Sequence, residues 1–166
     1  MTGNNPIRTL FNYSDRANDQ LIEASSGLND DQLDRAIQMG RGSLRKTLLH
    51  IWAGEHVWLL RWKGQADTPW PDEETATPVV EIARDLHQTW KDRNEFLEST
   101  IDGNLCRSMR YLDSVAGYFT ATLGDMILQG LVHSIHHRAQ AVNMLRQLGV
   151  EPPEVDYMTS VRTPVQ

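Results

Sequence analysis

The chain has 166 residues, 40% hydrophobic and 23% charged, a composition that excludes disordered, collagen-like and membrane-spanning classes. That length suits one domain over residues 1–166 with one sizeable hydrophobic core. With 16 Lys and Arg against 22 Asp and Glu, the formal net charge of −6 repels phosphate backbones, so nucleic acid is not an expected partner.

Met1 to Leu21 carries Asn4, Asn5, Arg8, Asp15, Arg16 and Asp19, so it lacks the unbroken apolar core of a signal peptide. No apolar run reaches the roughly 18 residues of a membrane span, and a cytoplasmic protein with no membrane partner is expected. The first helix is predicted from Pro6 to Ser26. Asn5 is its cap, Pro6 suits the first helical position, and Gly27 is placed as a left-handed stop. Leu10, Tyr13, Ala17, Leu21 and Ala24 fall on one stripe at helical spacing.

A second helix follows the N-cap Ser43 and runs through LRKTLLHIWAGEHVWLLRWK to Gly64. Trp52, Trp58 and Trp62 spread apolar bulk nearly all round it, so more than one of its faces needs a covering neighbour. The connection from Gly64 to Thr77 contains Pro69, Trp70 and Pro71, and Trp70 is expected to pack onto the bundle rather than cap a pocket. A third helix is predicted to start at Thr77-Pro78, with Thr77 as cap and Pro78 at the first position, and to end near Asp102-Gly103. Val79, Ile82, Leu86, Trp90 and Phe96 give it an apolar side.

Cys106 is the only cysteine, which excludes an internal disulfide framework and cysteine-rich zinc sites; with no evident activating neighbour it reads as a small buried apolar residue. RSMRYLDSVAGYFTAT has β-prone stretches around Gly117. Thr122 and Asp125 then form a capping box for a last helix, LGDMILQGLVHSIHHRAQAVNMLRQL, closed by Gly149. Four long helices predict an all-α fold, a four-helix bundle with a short hairpin or extended loop before the last helix.

The last helix carries His133, His136 and His137. His133 and His137 are four residues apart, so both imidazoles project from one face, with Cβ atoms roughly 5–6 Å apart, a chelating geometry. They interrupt a stripe of Met126, Gly130, Met144 and Leu148, and their alternative role is as hydrogen-bonded core residues. Ser134 and Ile135 follow His133, so the Glu of the H-E-x-x-H protease motif is absent. His50 is the candidate third ligand; it shares its side of the second helix with Thr47 and Gly54, whereas Glu55 projects about 140° away. Glu55 is expected to be a paired carboxylate in the bundle. His56 and His87 have weaker claims, and His136 is either exposed or supports its neighbours.

The segments LFNYSDRANDQLIEA, SLRKTLLHIWAGEHVWLLRWKG and TLGDMILQGLVHSIHHRAQAVNMLRQLGVEPPEVDYM together resemble the DinB-like superfamily of bacterial helical bundles, which includes the YfiT-type proteins. The anchors are a histidine followed five residues later by Glu, here His50 and Glu55, and a late H-x-x-x-H-R-x-Q helix ending in L-G. In the latter, His133, His137, Arg138, Gln140 and Leu148-Gly149 match. Ala139 stands where that family usually has Gly, and Val132 where Asn is frequent; neither change removes a ligand.

The resemblance implies a divalent metal, zinc or nickel, on His50, His133 and His137, and a homodimer. It further implies transfer of a low-molecular-weight thiol of the bacillithiol, mycothiol or glutathione type to an electrophilic small molecule. An ion held by three neutral imidazoles keeps open positions and depresses the pKa of a thiol placed there. Arg138 is the candidate to orient an anionic group of the thiol cosubstrate, with a salt bridge to a neighbouring acid as its alternative role. Two other functions fit the same residues. One is a metal-dependent hydrolase, which needs a base from Glu55 or from Asp156 folding back; the other is a non-catalytic helical dimer stapled by a closed four-ligand site.

Overall fold

The structure, a computed structural model, describes residues 5–101, 103–113 and 115–165. Among the described residues six helices and two strands follow the order α1 (Pro6–Ser26), α2 (Asp30–Leu33), α3 (Leu44–Trp62), α4 (Val79–Thr100), β1 (Ser108–Asp113), β2 (Gly117–Thr122), α5 (Leu123–Gln147) and α6 (Tyr157–Val161). The four long helices pack in a ring in which α3 touches α5 and α4, and α1 touches the same two. Among the described residues no helix is long and apolar enough to cross a membrane.

The local chemistry of the helix ends explains most of the boundaries. Asn5 accepts a hydrogen bond from the Ile7 N–H at 3.0 Å, Ser43 from Lys46 at 3.3 Å and Thr122 from Asp125 at 3.1 Å, each satisfying one of the otherwise unpaired first-turn donors. Gly64 and Gly149 adopt the positive φ expected after α3 and α5, at 89° and 77°.

Two ends differ from the expectation. Gly27 has φ −84° and remains right-handed, because its N–H reaches back to the Ser25 carbonyl and closes the last turn without a left-handed residue. Pro78 lies outside α4 with an extended backbone and no side chain caps that helix. The Thr77 carbonyl instead accepts a hydrogen bond from Arg45 at 3.0 Å. The predicted end of this helix near Asp102-Gly103 falls partly outside the described residues; the helix itself stops at Thr100.

The hairpin is present: β1 and β2 pair antiparallel from Ser108 opposite Thr122 to Asp113 opposite Gly117. The Asp113 carboxylate accepts from Val115 and Ala116 N–H groups at the turn, and Gly117 takes φ 95°. Hydrogen bonds from Leu112 N–H to the Ala66 carbonyl and from Arg61 to the Leu112 carbonyl moor the hairpin to the last turn of α3 and the connection after it.

Apolar packing splits into two clusters. One joins Leu21, Leu48, Ile51, Ile82, Leu86, Met144 and Leu145, and the other joins Phe11, Leu59, Trp62, Leu97, Leu123, Met126 and Ile127. Between them lies a polar layer. Glu55, with a side chain only 4% exposed, accepts hydrogen bonds from Asn18 (3.0 Å), Ser134 (2.8 Å) and Trp90 (2.8 Å), and Arg93 approaches it at 3.4 Å. Arg93 also donates to Asp15 at 2.5 Å. All four long helices therefore meet at one carboxylate, which satisfies the expectation that Glu55 is a paired buried group.

Candidate metal centre

His50 leaves α3 toward α5, and His133 and His137 leave α5 toward α3 from successive turns. One ring nitrogen from each lies within 4.8 Å of the other two. His50 Nε2 and His133 Nε2 are 3.2 Å apart, and the His137 ring centre lies 4.3 Å from that of His50 and 4.5 Å from that of His133. Two ligands of one zinc-like ion, each bonded at about 2.0–2.1 Å, stand roughly 3–3.5 Å apart, so the closest pair already has ligand spacing.

The outer nitrogens determine which inner ones are available. His50 Nδ1 donates to the Glu73 carboxylate at 2.6 Å and His137 Nδ1 donates to the Gln140 amide oxygen at 2.8 Å, which leaves the Nε2 lone pair of each ring facing inward. His133 Nδ1 is buried without a hydrogen-bond partner among the described residues. His133 Nε2–H can donate to the inward lone pair of His50 Nε2 across 3.2 Å, and a divalent cation in place of that proton would gather a nitrogen of all three rings. These residues fit a divalent metal.

Burial supports the same conclusion. His133 is pushed down to about 3 by burial, and the neighbouring His137 and His50 act in the same direction. Burial likewise lowers His137, against the hydrogen bond to Gln140. These two rings are therefore neutral, hence ligand-competent, at neutral pH. Burial pushes Glu73 up, but hydrogen bonds from His50 and Trp70 outweigh it and hold the carboxyl below its ordinary range. Glu73 is an anion behind His50.

Close backbone approach makes room for the rings. At Gly54 a Cβ would lie 2.2 Å from His133 Cε1, and at Gly40 it would lie 2.4 Å from the Gln140 amide oxygen. Trp70 stands over the centre with its ring 5.1 Å from His50 and 6.1 Å from His133, and its Nε1 donates to Glu73. Trp70 therefore both packs onto the bundle and walls the centre. Arg41 completes this shell with an ion pair to Glu73 at 2.7 Å.

Several expected roles change. Arg138 is 2% exposed and points away from the triad, since residue 138 lies about 100° round the helix from His137. It donates to the Ser14 carbonyl, the Ser14 hydroxyl and the Asn18 amide oxygen on α1, so it cannot orient a cosubstrate at the triad. Both carboxylates considered as the base of a hydrolase are committed elsewhere: Glu55 in the polar layer, and Asp156 accepting the Met158 and Thr159 N–H groups as the cap of α6. Among the described residues no fourth donor joins the triad, so the closed site of a metal staple is not formed within one chain.

Cys106 is exposed rather than buried, because it sits in the turn before β1. His56 stacks on Trp52 and His87 pairs with Asp19 on the surface. His136 is exposed, yet it accepts a hydrogen bond from the Gln140 amide that also holds His137.

The sequence model of the DinB family matches residues 1–164. This chain belongs to the DinB family. Among solved structures, a DinB-like protein from Bacillus cereus is similar, with a TM-score of 0.73 at 19% identity, covering 90% of this chain and 95% of that one. At that identity the likeness bears on the fold of this DinB protein and not on its chemistry. A comparison with curated proteins finds no match.

Proposed function

We propose that this DinB protein holds a divalent metal, zinc or nickel, on His50, His133 and His137, and uses it to transfer a low-molecular-weight thiol to an electrophilic small molecule. The observation that carries the reading is a donor set of three imidazoles with no carboxylate among them. Such a set leaves the ion its full charge and open positions, as in catalytic rather than structural sites. The bound ion would supply Lewis acidity that favours the thiolate form of a thiol at neutral pH.

The remaining work belongs to the chain. Glu73 and Gln140 fix the tautomers of His50 and His137, so that Nε2 of each is the ligand atom. Gly54 lets His133 approach the backbone of α3. Trp70 covers one side and limits water around the sulfur. In the overall reaction a carbon–sulfur bond forms at the electrophilic carbon, the bond from that carbon to its leaving group breaks, and the thiol proton departs with the leaving group through solvent.

Elemental analysis of untagged protein, purified without added metal, tests the first half. About one divalent ion per chain is expected, and its loss from a His133→Ala, His137→Ala double variant. Incubation of the loaded protein with an activated aryl chloride and glutathione, cysteine or bacillithiol tests the second half. Thiol-dependent chloride release is expected from wild type and not from the variant; a metal-loaded protein that releases no chloride with any of these thiols counts against transfer.

A further inference from the structure

Lys46 precedes His50 by four residues of α3, so the two side chains share a face about 6 Å apart along the axis. Beyond Lys46 the surface opens into a pocket of about 410 Å³, with Leu49 among its lining residues and walls contributed by the connections before and after α3. Glu73 belongs to both places, lining the pocket and bonding His50 at 2.6 Å. Arg41 lines the pocket too, beside Glu73.

The hydrogen-bonding capacity of this pocket is unevenly used. Arg45 donates to Asp30, Asp34 and the Thr77 carbonyl, and Glu73 serves His50, Trp70 and Arg41. Among the described residues Arg41, with five N–H donors, has one partner, Glu73, and the side chain of Lys46, with three, has Glu74 at 2.5 Å. Their side chains are 44% and 38% exposed, and that of Glu74 is 76% exposed, so the Lys46–Glu74 pair is a weak one that an incoming anion displaces. What remains nearest His50 is spare donor capacity on two cations.

We propose that this pocket receives a carboxylate of an acidic low-molecular-weight thiol, bound by Arg41 and Lys46, while the sulfur lies at the histidine triad. The inference rests on the thiol reading above and names the class of thiol. The volume falls within the roughly 300–1,000 Å³ of small-molecule sites, and a tripeptide-sized thiol spans one helical turn between sulfur and carboxylate. A thiol without an acid would cover the two cations and return no charge-assisted hydrogen bond, so the pocket selects as well as binds.

Full-length protein loaded with Co(II) provides the test, because a thiolate on cobalt gives a near-ultraviolet charge-transfer band that reports binding without turnover. The probes are glutathione and its diethyl ester. Wild type is expected to bind glutathione about tenfold more tightly, and Lys46→Gln and Arg41→Gln to bring the two affinities together. Arg41→Gln also removes the counter-ion of Glu73; Lys46 pairs instead with the exposed Glu74, so Lys46→Gln keeps the test decisive if the arginine variant loses cobalt. Equal affinity of wild type for acid and ester, or a preference that Lys46→Gln leaves intact, overturns the pocket while the thiol reading stands. Cobalt-loaded protein whose spectrum neither thiol alters defeats the thiol reading and the pocket with it.

Discussion

The imidazole of His133 occupies the space that a side chain at Gly54 would fill, with His133 Cε1 2.2 Å and Nδ1 2.4 Å from where a Cβ would stand. Gly54→Ala therefore separates helix stability from metal binding. Alanine favours the helix by about 1 kcal/mol over glycine, yet its methyl group displaces the ring. The variant is expected to remain helical by circular dichroism and to lose at least about 100-fold in zinc affinity, measured by competition with a chromophoric chelator. Unchanged affinity would show that His133 is not a ligand.

Glu73 offers a graded probe of the shell behind the ligands. Glu73→Ala removes the acceptor of His50 and of Trp70 together, and an outer-shell change of this kind lowers metal affinity by about 10–100-fold. Glu73→Gln retains an acceptor oxygen and is expected to lose less. Because Trp70 is released in the alanine variant only, a red shift of tryptophan emission there and not in Glu73→Gln checks the assignment.

Removing the Glu55 carboxylate strikes the layer on which the four long helices converge. Glu55→Ala takes the shared acceptor from the Trp90 N–H, the Asn18 amide and the Ser134 hydroxyl, while Arg93 keeps Asp15, at a cost of about 1–3 kcal/mol for each buried donor left unsatisfied. Glu55→Gln, which keeps two polar atoms, is expected to cost about 1–3 kcal/mol. Urea unfolding of metal-free protein measures both, and equal midpoints for wild type and Glu55→Ala would contradict a structural role.

Acid stability carries two opposing signatures. His133 is held at about 3 against an ordinary 6.5, so between these values the unfolded chain binds a proton that the folded chain refuses; this contribution to stability falls as pH falls through the window. Asp15, raised by burial from 3.8 to about 6, takes up its proton first in the folded state, so between 6 and 3.8 its contribution rises as pH falls. In metal-free protein, His133→Gln should lose less stability than wild type between pH 6.5 and 4, and Asp15→Asn should lose more between pH 6 and 4. Urea midpoints across that range, with chelator present, test both slopes.

Legibility in the sequence followed periodicity. Asn5-Pro6 placed the start of α1, and the spacing of His133 and His137 on α5 placed two imidazoles on one face, because both signals are local. His50 needed the resemblance as well, since nothing local says which face of the apolar α3 meets α5. Glu73 escaped because residues 63–78 have no repeating pattern from which a direction can be read. Arg138 was within reach: one residue past His137 is about 100° round the wheel, away from the triad. The four-residue α2 was too short to show a period, although Asn29 and Gln32 form a capping box.

The three histidines stand far apart along the chain, His50 and His133 being 83 positions apart in sequence. At a synthesis rate of about 5–20 residues per second, His50 leaves the ribosome roughly 4–17 s before its first partner exists. Through that interval α3 exposes Glu55 and its tryptophans without α5 to cover them, and no chelating pair yet exists for an ion. The three-histidine centre is thus a late product of synthesis, complete only once α5 has docked on α3 and the bundle has closed.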